Sequence, residues 1–152
     1  SDTSREIILG PTYAYMQINK RTEWVVPSGF HQARIVDARL IKECVNREAE
    51  LKVLFEITSL VHPTRKYMAR KVYKKGDSSQ LITDLETILG DNLTSVINLA
   101  GEIIAEALVI LFGHEVDVEI EHHHGKEHDK PYCIVTQITK PGVLVEAFKD
   151  AA

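Results

Sequence analysis

Residues 76–121 read GDSSQLITDLETILGDNLTSVINLAGEIIAEALVILFGHEVDVEIE, and their pattern determines the predicted fold. An apolar stripe at helical spacing predicts a helix that Ser78 or Ser79 caps and Gly90 ends; the stripe comprises Leu81, Leu85, Ile88 and Leu89. A second helical passage follows, in which residues 103–112 are apolar enough to be largely buried. Alternation of apolar residues with acids from Glu115 to Glu121 then predicts a strand with one solvated face.

Charge is segregated on the two sides of Gly76. Residues 76–121 contain ten acids and no Lys or Arg, whereas residues 57–76 contain six basic residues and no acid. The net charge of −4 argues against uniform coating of a nucleic acid, but a polyanion responds to the local field rather than to the net charge. We therefore expect the function on the basic side of this boundary.

Three strands are predicted before the helical stretch, and one more after the strand that closes it. The regular domain begins at the turn Pro27–Gly29, and His31–Ile41 reads as the first strand. Every second residue of Leu51–Ile57 is apolar, which predicts the second strand, and Lys66–Lys74 follows after a His-Pro-Thr turn. Short links between these strands indicate an antiparallel meander. Residues 131–139, PYCIVTQIT, read as the last strand.

The predicted order is three strands, a helical insert and two strands. This is the order of an OB-fold, a five-stranded, partly open Greek-key barrel, with its helix between strands three and four. The sequence thus predicts a β-rich α+β protein, an OB-like barrel with an enlarged helical insert at that connection; a generic α+β domain is the alternative. Residues 1–26 would form an N-terminal arm, residues 27–142 the OB-like domain and residues 143–152 a C-terminal tail.

Several segments resemble a family of small phage- and plasmid-borne proteins. The shared features are a serine before a Leu-containing helix with an L-G break (SSQLITDLETILGDNLT), a valine-rich strand after L-hydrophobic-G (ALVILFGHEVDVEIEH) and a hydrophobic strand after a loop (YCIVTQI). Leu54–Ile57 and the entry Pro27–Gly29 fit the same pattern, which covers residues 27–138. The family is similar to OB-fold single-stranded DNA-binding proteins of phage replication and recombination modules. The resemblance implies that fold and that function through turns, caps and core positions, none of which is catalytic.

The basic segment before Gly76 is the predicted binding site. Single-strand binders combine cations along the phosphate track with aromatic rings on which bases stack. The candidate nucleic-acid-binding residues are Arg65, Lys66, Tyr67, Arg70, Lys71, Tyr73, Lys74 and Lys75. Alternation along the third strand places both tyrosines on one face but does not indicate which face is exposed. A solvated edge strand whose lysines block aggregation is the alternative interpretation.

The other motifs do not predict a catalytic or metal site. Adjacent residues of a strand point to opposite faces, so His122, His123 and His124 cannot all converge on one ion, and no metal or other cofactor is predicted. The acids of the 115–121 strand are interpreted as a solvated face rather than a divalent-metal site. The sequence has no phosphate-binding glycine loop and no Ser-His-Asp or Cys-His arrangement, so no enzyme is predicted.

The arm and the overall composition predict the assembly and the compartment. Tyr13, Tyr15, Ile18 and Trp24 are too apolar for a free arm, so a homodimer is expected. Cys44 and Cys133 are interpreted as reduced thiols. The sequence shows neither a membrane-length apolar run nor a signal peptide, and the expected location is the cytoplasm, that of a bacterial host if the protein is phage-encoded.

The sequence therefore predicts sequence-tolerant binding of single-stranded DNA in a phage or mobile-element replication or recombination module. Replication or recombination proteins are further expected partners. The alternative is a non-enzymatic protein-interaction module, a phage accessory or anti-defence protein on an OB-like barrel. That module would dock through its acidic helical side, from Asp84 to Glu106.

Overall fold

A computed structural model describes residues 25–123 and 132–143 of the chain. The elements in these ranges are β1 (Gly29–Ile41), β2 (Glu50–Ile57), β3 (Met68–Lys74), α1 (Ser78–Leu89), β4 (Glu115–His123) and β5 (Tyr132–Thr139). The five predicted strands and the predicted first helix are thus present, with strand boundaries shifted by at most two residues. The arm up to Trp24, the loop with His124 and the tail from Leu144 lie outside the described residues, so the dimer prediction stays a prediction.

The five strands form one mixed sheet that closes into a ring. The strand order is β1-β2-β3-β5-β4, and β4 pairs back onto β1. All neighbours are antiparallel except β3 and β5, which run parallel and share the single ladder pair Arg70–Ile134. The β-rich α+β class and a helical insert between strands three and four are therefore confirmed. The short β3–β5 ladder leaves a seam in the ring.

The hydrophobic core fills the interior of the ring. The period of two on β2 directs Leu51, Val53, Phe55 and Ile57 inward, all at most 4% exposed. Inward residues of the other strands complete the core, among them Ile35, Val116, Val118, Ile120 and Val135. Burial on every strand gives the ring a continuous apolar interior, which stabilises it by removing apolar surface from water.

The helix α1 packs against one end of this core. Leu85 and Leu89, one helical turn apart, are buried, and Gly90 ends the helix with φ of 59°. A glycine adopts such a positive φ without the steric penalty that a β-carbon would impose. The predicted end of the helix is thereby confirmed. No helix among the described residues is long and apolar enough to cross a membrane.

The second helical passage is shorter and more exposed than the sequence predicts. The chain forms 3₁₀ turns at Gly90–Ser95 and Ala105–Leu111, separated by a bridge between Ile97 and Ile103. In a 3₁₀ turn every third residue lies on the same side, so Leu108 and Leu111 are buried while the residues around them face outward. The expectation that residues 103–112 are largely buried is therefore wrong. The exposed apolar residues of this insert are Leu99, Val109, Ile110 and Phe112.

Candidate nucleic-acid interface

Tyr73, one of the two predicted stacking rings, lies inside the ring of strands. Its side chain is 4% exposed, and its hydroxyl donates a hydrogen bond to Oδ2 of Asp84 on α1 at 2.5 Å. Burial, followed by the negative charge of Asp84, raises the pKa of Tyr73 well above its usual range. The ring therefore cannot stack on a base in this conformation, because stacking requires an exposed ring face. This position corrects the sequence-based assignment of Tyr73 to the binding surface.

The opposite face of β3 is the exposed one. Ala69 and Tyr73 point inward, so alternation directs Arg70 and Lys74 outward, and both are exposed. Met68 and Val72 share this outer face and are half-buried. The structure thus supplies the orientation that the sequence left open, and two of the six predicted cations stand on the outer surface of the strand.

The side chain of Lys71 extends along the seam between β3 and β5. Its register partner on β2 is the buried Val53, so its side chain begins on the inner face. The ammonium then lies 5.4 Å from the centre of the Tyr73 ring and donates to the carbonyl of Val135 at 3.3 Å. Because β3 and β5 share only one ladder pair, the seam has room for a long side chain. Lys71 therefore places a positive charge in the gap between the two strands.

Tyr132, at the start of β5, is an exposed aromatic residue beside this seam. The guanidinium carbon of Arg70 lies 5.2 Å from the centre of the Tyr132 ring, and Tyr132 is 36% exposed. This distance is within the range of a cation–π contact. Tyr132 was not among the predicted site residues because it lies more than fifty residues beyond the basic segment. Parallel pairing of β3 with β5 brings it next to Arg70, and the local sequence pattern carries no signal of that pairing.

A surface cleft of about 360 Å³ opens along the same seam. Its lining residues are Arg70, Lys71 and Val72 from β3, and Ile134, Val135 and Thr136 from β5. The cleft thus combines two cations, three apolar side chains and a hydroxyl. Tyr132 lies two residues before Ile134 on β5. Such a mixture suits a planar, partly apolar ligand that carries negative charge.

The remaining predicted residues flank β3. Arg65 and Lys66 are exposed in the segment before the strand, and the Lys66 ammonium lies 3.8 Å from Oε1 of Glu56. Tyr67 is half-buried against the core, and its carbonyl accepts a hydrogen bond from the amide of Ile57 at 2.8 Å. Lys75 is exposed in the 3₁₀ turn after β3. These residues extend the positive surface past both ends of the strand.

Acids on the outer faces of β1 and β2 limit this positive surface. Glu56 accepts a hydrogen bond from Arg34 at 2.7 Å, and Glu50 lies 3.8 Å from the ammonium of Lys52. Asp37 pairs with Arg39 at 2.9 Å. The cations of β1 and β2 are therefore largely matched by neighbouring acids, and the excess of positive charge is concentrated on β3 and at its ends. The candidate interface is narrower than the whole surface of strands two and three.

The acidic residues occupy other parts of the molecule. Asp84 is 2% exposed and accepts hydrogen bonds from Tyr73 and from Gln80, so it belongs to the interior rather than to an acidic docking face. Asp117 is 1% exposed, which contradicts the expectation of a fully solvated strand face on β4. The exposed acids between β3 and β4 are Asp77, Glu86, Asp91, Glu102 and Glu106.

His122 and His123 on β4 are exposed and make polar contacts near the end of the strand. The Nε2 atom of His122 lies within hydrogen-bond distance of the carbonyl of Val26, and His123 Nε2 lies 3.5 Å from Glu121. The thiol of Cys133 donates to the same Val26 carbonyl at 3.8 Å. Within residues 25–123 and 132–143 no three His, Cys, Asp or Glu side chains are grouped so that they could hold a metal ion.

Comparison with known proteins adds no family to this description. The chain matches no family model, and no curated protein matches it. Any function assigned to the chain therefore depends on the geometry of the seam and on the chemistry of the side chains around it.

Proposed function

We propose that the protein binds single-stranded DNA, with little sequence preference, along the outer face of β3 and the seam between β3 and β5. The observation that carries this proposal is the stack of Arg70 on the exposed Tyr132 beside a cleft that also contains Lys71. Aromatic rings and guanidinium planes are the surfaces on which single-strand binders stack bases. Here both surfaces lie next to a charge that can hold a phosphate.

Base and backbone would be held by different residues of this interface. Tyr132 and Arg70 provide the stacking platform, since part of the ring is exposed and the guanidinium lies over it. The phosphate contacts would come from cations along and beyond the strand, namely Arg65, Lys66, Lys71, Lys74 and Lys75. Tyr67 is half-buried against the core, so only part of its side chain is available to a ligand.

Single strands fit this surface better than duplexes do. A base can stack on Tyr132 only when its own face is open, whereas in a duplex both faces are covered by neighbouring base pairs. The acids of β1 and β2 neutralise the cations beside them, so the positive strip is confined to β3 and its ends. The strip is therefore suited to a single backbone held in one orientation.

The proposal includes the finer assignment of the sheet as an OB-fold. The strand order β1-β2-β3-β5-β4 and the helix between β3 and β4 support this assignment. OB-folds bind oligonucleotides on the face of strands two and three. The resemblance to phage and plasmid proteins extends the proposal to a replication or recombination module, with the proteins of that module as partners.

Fluorescence anisotropy with labelled oligonucleotides, single- and double-stranded, tests the proposal over a salt series. We expect the single strand to bind more tightly than the duplex. We also expect a steep loss of affinity with salt, because lysine and arginine side chains that contact phosphates release counterions from the DNA. Arg70→Ala should weaken binding, and Arg70→Lys should recover only the charge-dependent part because an ammonium has no plane to stack. Absence of single-strand binding at low salt, or equal affinity for the duplex, would refute the proposal.

A second candidate, a protein-interaction module, is favoured by the surface of the helical insert. Val109 is 61% exposed and Phe112 is 41% exposed, and they lie close in sequence to the acids Glu102 and Glu106. An apolar surface bordered by acids suits a partner that offers apolar and basic side chains. A partner captured from nuclease-treated lysate at high salt, and lost with Phe112→Ser but not with Arg70→Ala, would favour this function over DNA binding.

A further inference from the structure

Asp117 on β4 is a buried carboxylate without a donor in the described chain. It pairs in register with Gln32 on β1 and Thr139 on β5, so its side chain lies on the outer face of the sheet, opposite Val116 and Val118. It is nevertheless 1% exposed, and neither Oδ1 nor Oδ2 accepts a hydrogen bond from any described residue. Buried polar groups in folded proteins are normally hydrogen-bonded, so such a carboxylate requires an explanation.

The other buried acid shows how this protein satisfies a carboxylate that has a structural role. Asp84 is 2% exposed and accepts one hydrogen bond on each oxygen, from the Tyr73 hydroxyl at 2.5 Å and from Gln80 at 2.9 Å. Asp117 is equally buried but lacks this pair of donors. An ionised carboxylate in such a place destabilises the fold unless a cation pairs with it.

Asp117 is one of the residues that line a small polar pocket. The volume of this pocket is about 140 Å³, comparable with cavities that hold a small organic molecule, and the other lining residues are Gln32, Ala33, Thr58, Glu115, Val116 and Pro141. Glu115 adds a second acid at the exposed rim. The register partner of Glu115 on β1 is Arg34, whose guanidinium donates to Glu56 on β2 instead. The pocket is therefore lined by two acids, and no described cation pairs with Asp117.

We propose that this pocket binds a guanidinium group. Two unpartnered oxygens on one carboxylate match the two parallel N–H donors of a guanidinium, which is also more weakly hydrated than an ammonium and costs less to bury. The described acids and histidines do not form a three-residue metal site here, which argues against a divalent ion. The guanidinium can belong to a small molecule or to an arginine side chain of a partner protein, and the chemistry of the pocket is the same for both.

The site is separate from the proposed DNA interface. In the ring of strands, β5 separates β4 from β3 on one side, and β1 and β2 separate them on the other. The pocket is lined from β1, β4 and the segments that follow β2 and β5, without residues of β3. A negative pocket also repels phosphate, so loss of one activity leaves the other in place.

An NMR titration of the full chain with methylguanidinium, followed through backbone amide shifts, tests the proposal. Shifts should concentrate at Gln32, Thr58 and Asp117, and the neutral isostere methylurea should produce none at these positions. Asp117→Asn retains the shape and removes the charge, and we expect it to weaken binding by about tenfold or more. Glu115→Gln, at the exposed rim, should weaken binding less, and Glu121→Gln, farther along β4, serves as the matched control with unchanged affinity.

The source of the group is tested by a second pair of probes. An acetylated and amidated Gly-Arg-Gly peptide should compete with methylguanidinium if the ligand is an arginine side chain, and the same peptide with citrulline in place of arginine should not compete. Binding of methylguanidinium without competition by the arginine peptide would assign the site to a small molecule. Binding of neither probe, equal binding of methylurea, or unchanged affinity in both Asp117→Asn and Glu115→Gln would overturn the proposal.

Discussion

Tyr73 and Tyr132 lie on opposite sides of the same sheet, and their surroundings differ in every respect that matters for function. Tyr73 is 4% exposed and donates its hydroxyl to a carboxylate, whereas Tyr132 is 36% exposed and lies beneath a guanidinium. The first contact joins β3 to α1, and the second joins β3 to β5 at a cleft. One face of β3 can therefore stabilise the core, while the other face is available for the proposed binding of DNA.

The comparison predicts that stability and DNA affinity can be changed separately. Contacts in the interior affect unfolding because buried polar groups lose their partners when one side chain is removed. Contacts on the outer face would affect the proposed DNA binding rather than unfolding, because water already satisfies exposed groups in the free protein. Each variant below is expected to move one of the two measurements and leave the other nearly unchanged.

The largest expected effect is that of Asp84→Ala on stability. The substitution removes the acceptor of two hydrogen bonds and leaves the Tyr73 hydroxyl buried without a partner. We expect a loss of about 2–4 kcal/mol in the free energy of unfolding, measured by urea denaturation at pH 7. Glu86→Ala, at an exposed position of the same helix, is the matched control and should change stability by less than about 0.5 kcal/mol. Equal stability of the two variants would show that the interior contact is dispensable.

Next in size is the effect of Tyr132→Ala on single-strand affinity. Removal of the ring removes one stacked base, which corresponds to a loss of about tenfold to a hundredfold. Tyr132→Phe keeps the ring and serves as the matched control, with affinity close to that of the unmodified protein. Anisotropy at fixed salt measures both variants. A loss of single-strand affinity in Tyr73→Phe but not in Tyr132→Ala would show that Tyr73, rather than Tyr132, contributes to binding.

Tyr73→Phe should destabilise the protein by about 1 kcal/mol at pH 7, because it removes one hydrogen bond to a charged acceptor but keeps the ring in the core. Burial and the adjacent Asp84 raise the pKa of Tyr73, so its neutral form is favoured in the folded state. A raised pKa contributes stability that is present below the unfolded pKa of about 10 and is lost as the pH rises further. The difference in the free energy of unfolding between the unmodified protein and Tyr73→Phe should therefore decrease above about pH 10.

Urea denaturation from pH 7 to 11 checks this dependence, with Asp84→Ala as a second variant that keeps the tyrosine. Above the unfolded pKa, deprotonation of the tyrosine in the unfolded state lowers the free energy of unfolding by about 1.4 kcal/mol for each pH unit. A difference between Tyr73→Phe and the unmodified protein that grows toward pH 11 would contradict the assigned sign.

The fold was predictable from local pattern in the strands and less so in the insert. On β2, alternation of apolar residues identified the buried set because one face packs on the core. In the segment around Ala105–Leu111 the apolar residues are too dense to indicate a period, and burial there depends on a 3₁₀ geometry that leaves Val109 and Phe112 exposed. Tertiary contacts with the closed ring, which local sequence does not encode, decided that outcome.

The candidate site was predictable only in its charges. The run from Arg65 to Lys75 is visible in the sequence, but Met68, Arg70, Val72 and Lys74 do not form a face that is clearly polar or apolar, so the inner side of β3 was undetermined. The inner position of Tyr73 depends on Asp84 eleven residues later, and the role proposed for Tyr132 depends on pairing between β3 and β5. Both contacts join different elements, whereas periodicity describes the residues of a single element.

The smallest expected effect is that of Lys74→Ala on the salt dependence of binding. Lys74 is exposed on the outer face of β3, so a phosphate contact there would add about 0.7 to the log–log slope of affinity against salt concentration for a single strand. Lys140→Ala removes the same charge from an exposed position after β5 and should leave the slope unchanged. Neither variant should alter the free energy of unfolding by more than about 0.5 kcal/mol, since both side chains are exposed. Equal slopes for the two variants would exclude Lys74 from the interface and confine the phosphate track to the seam beside Arg70 and Lys71.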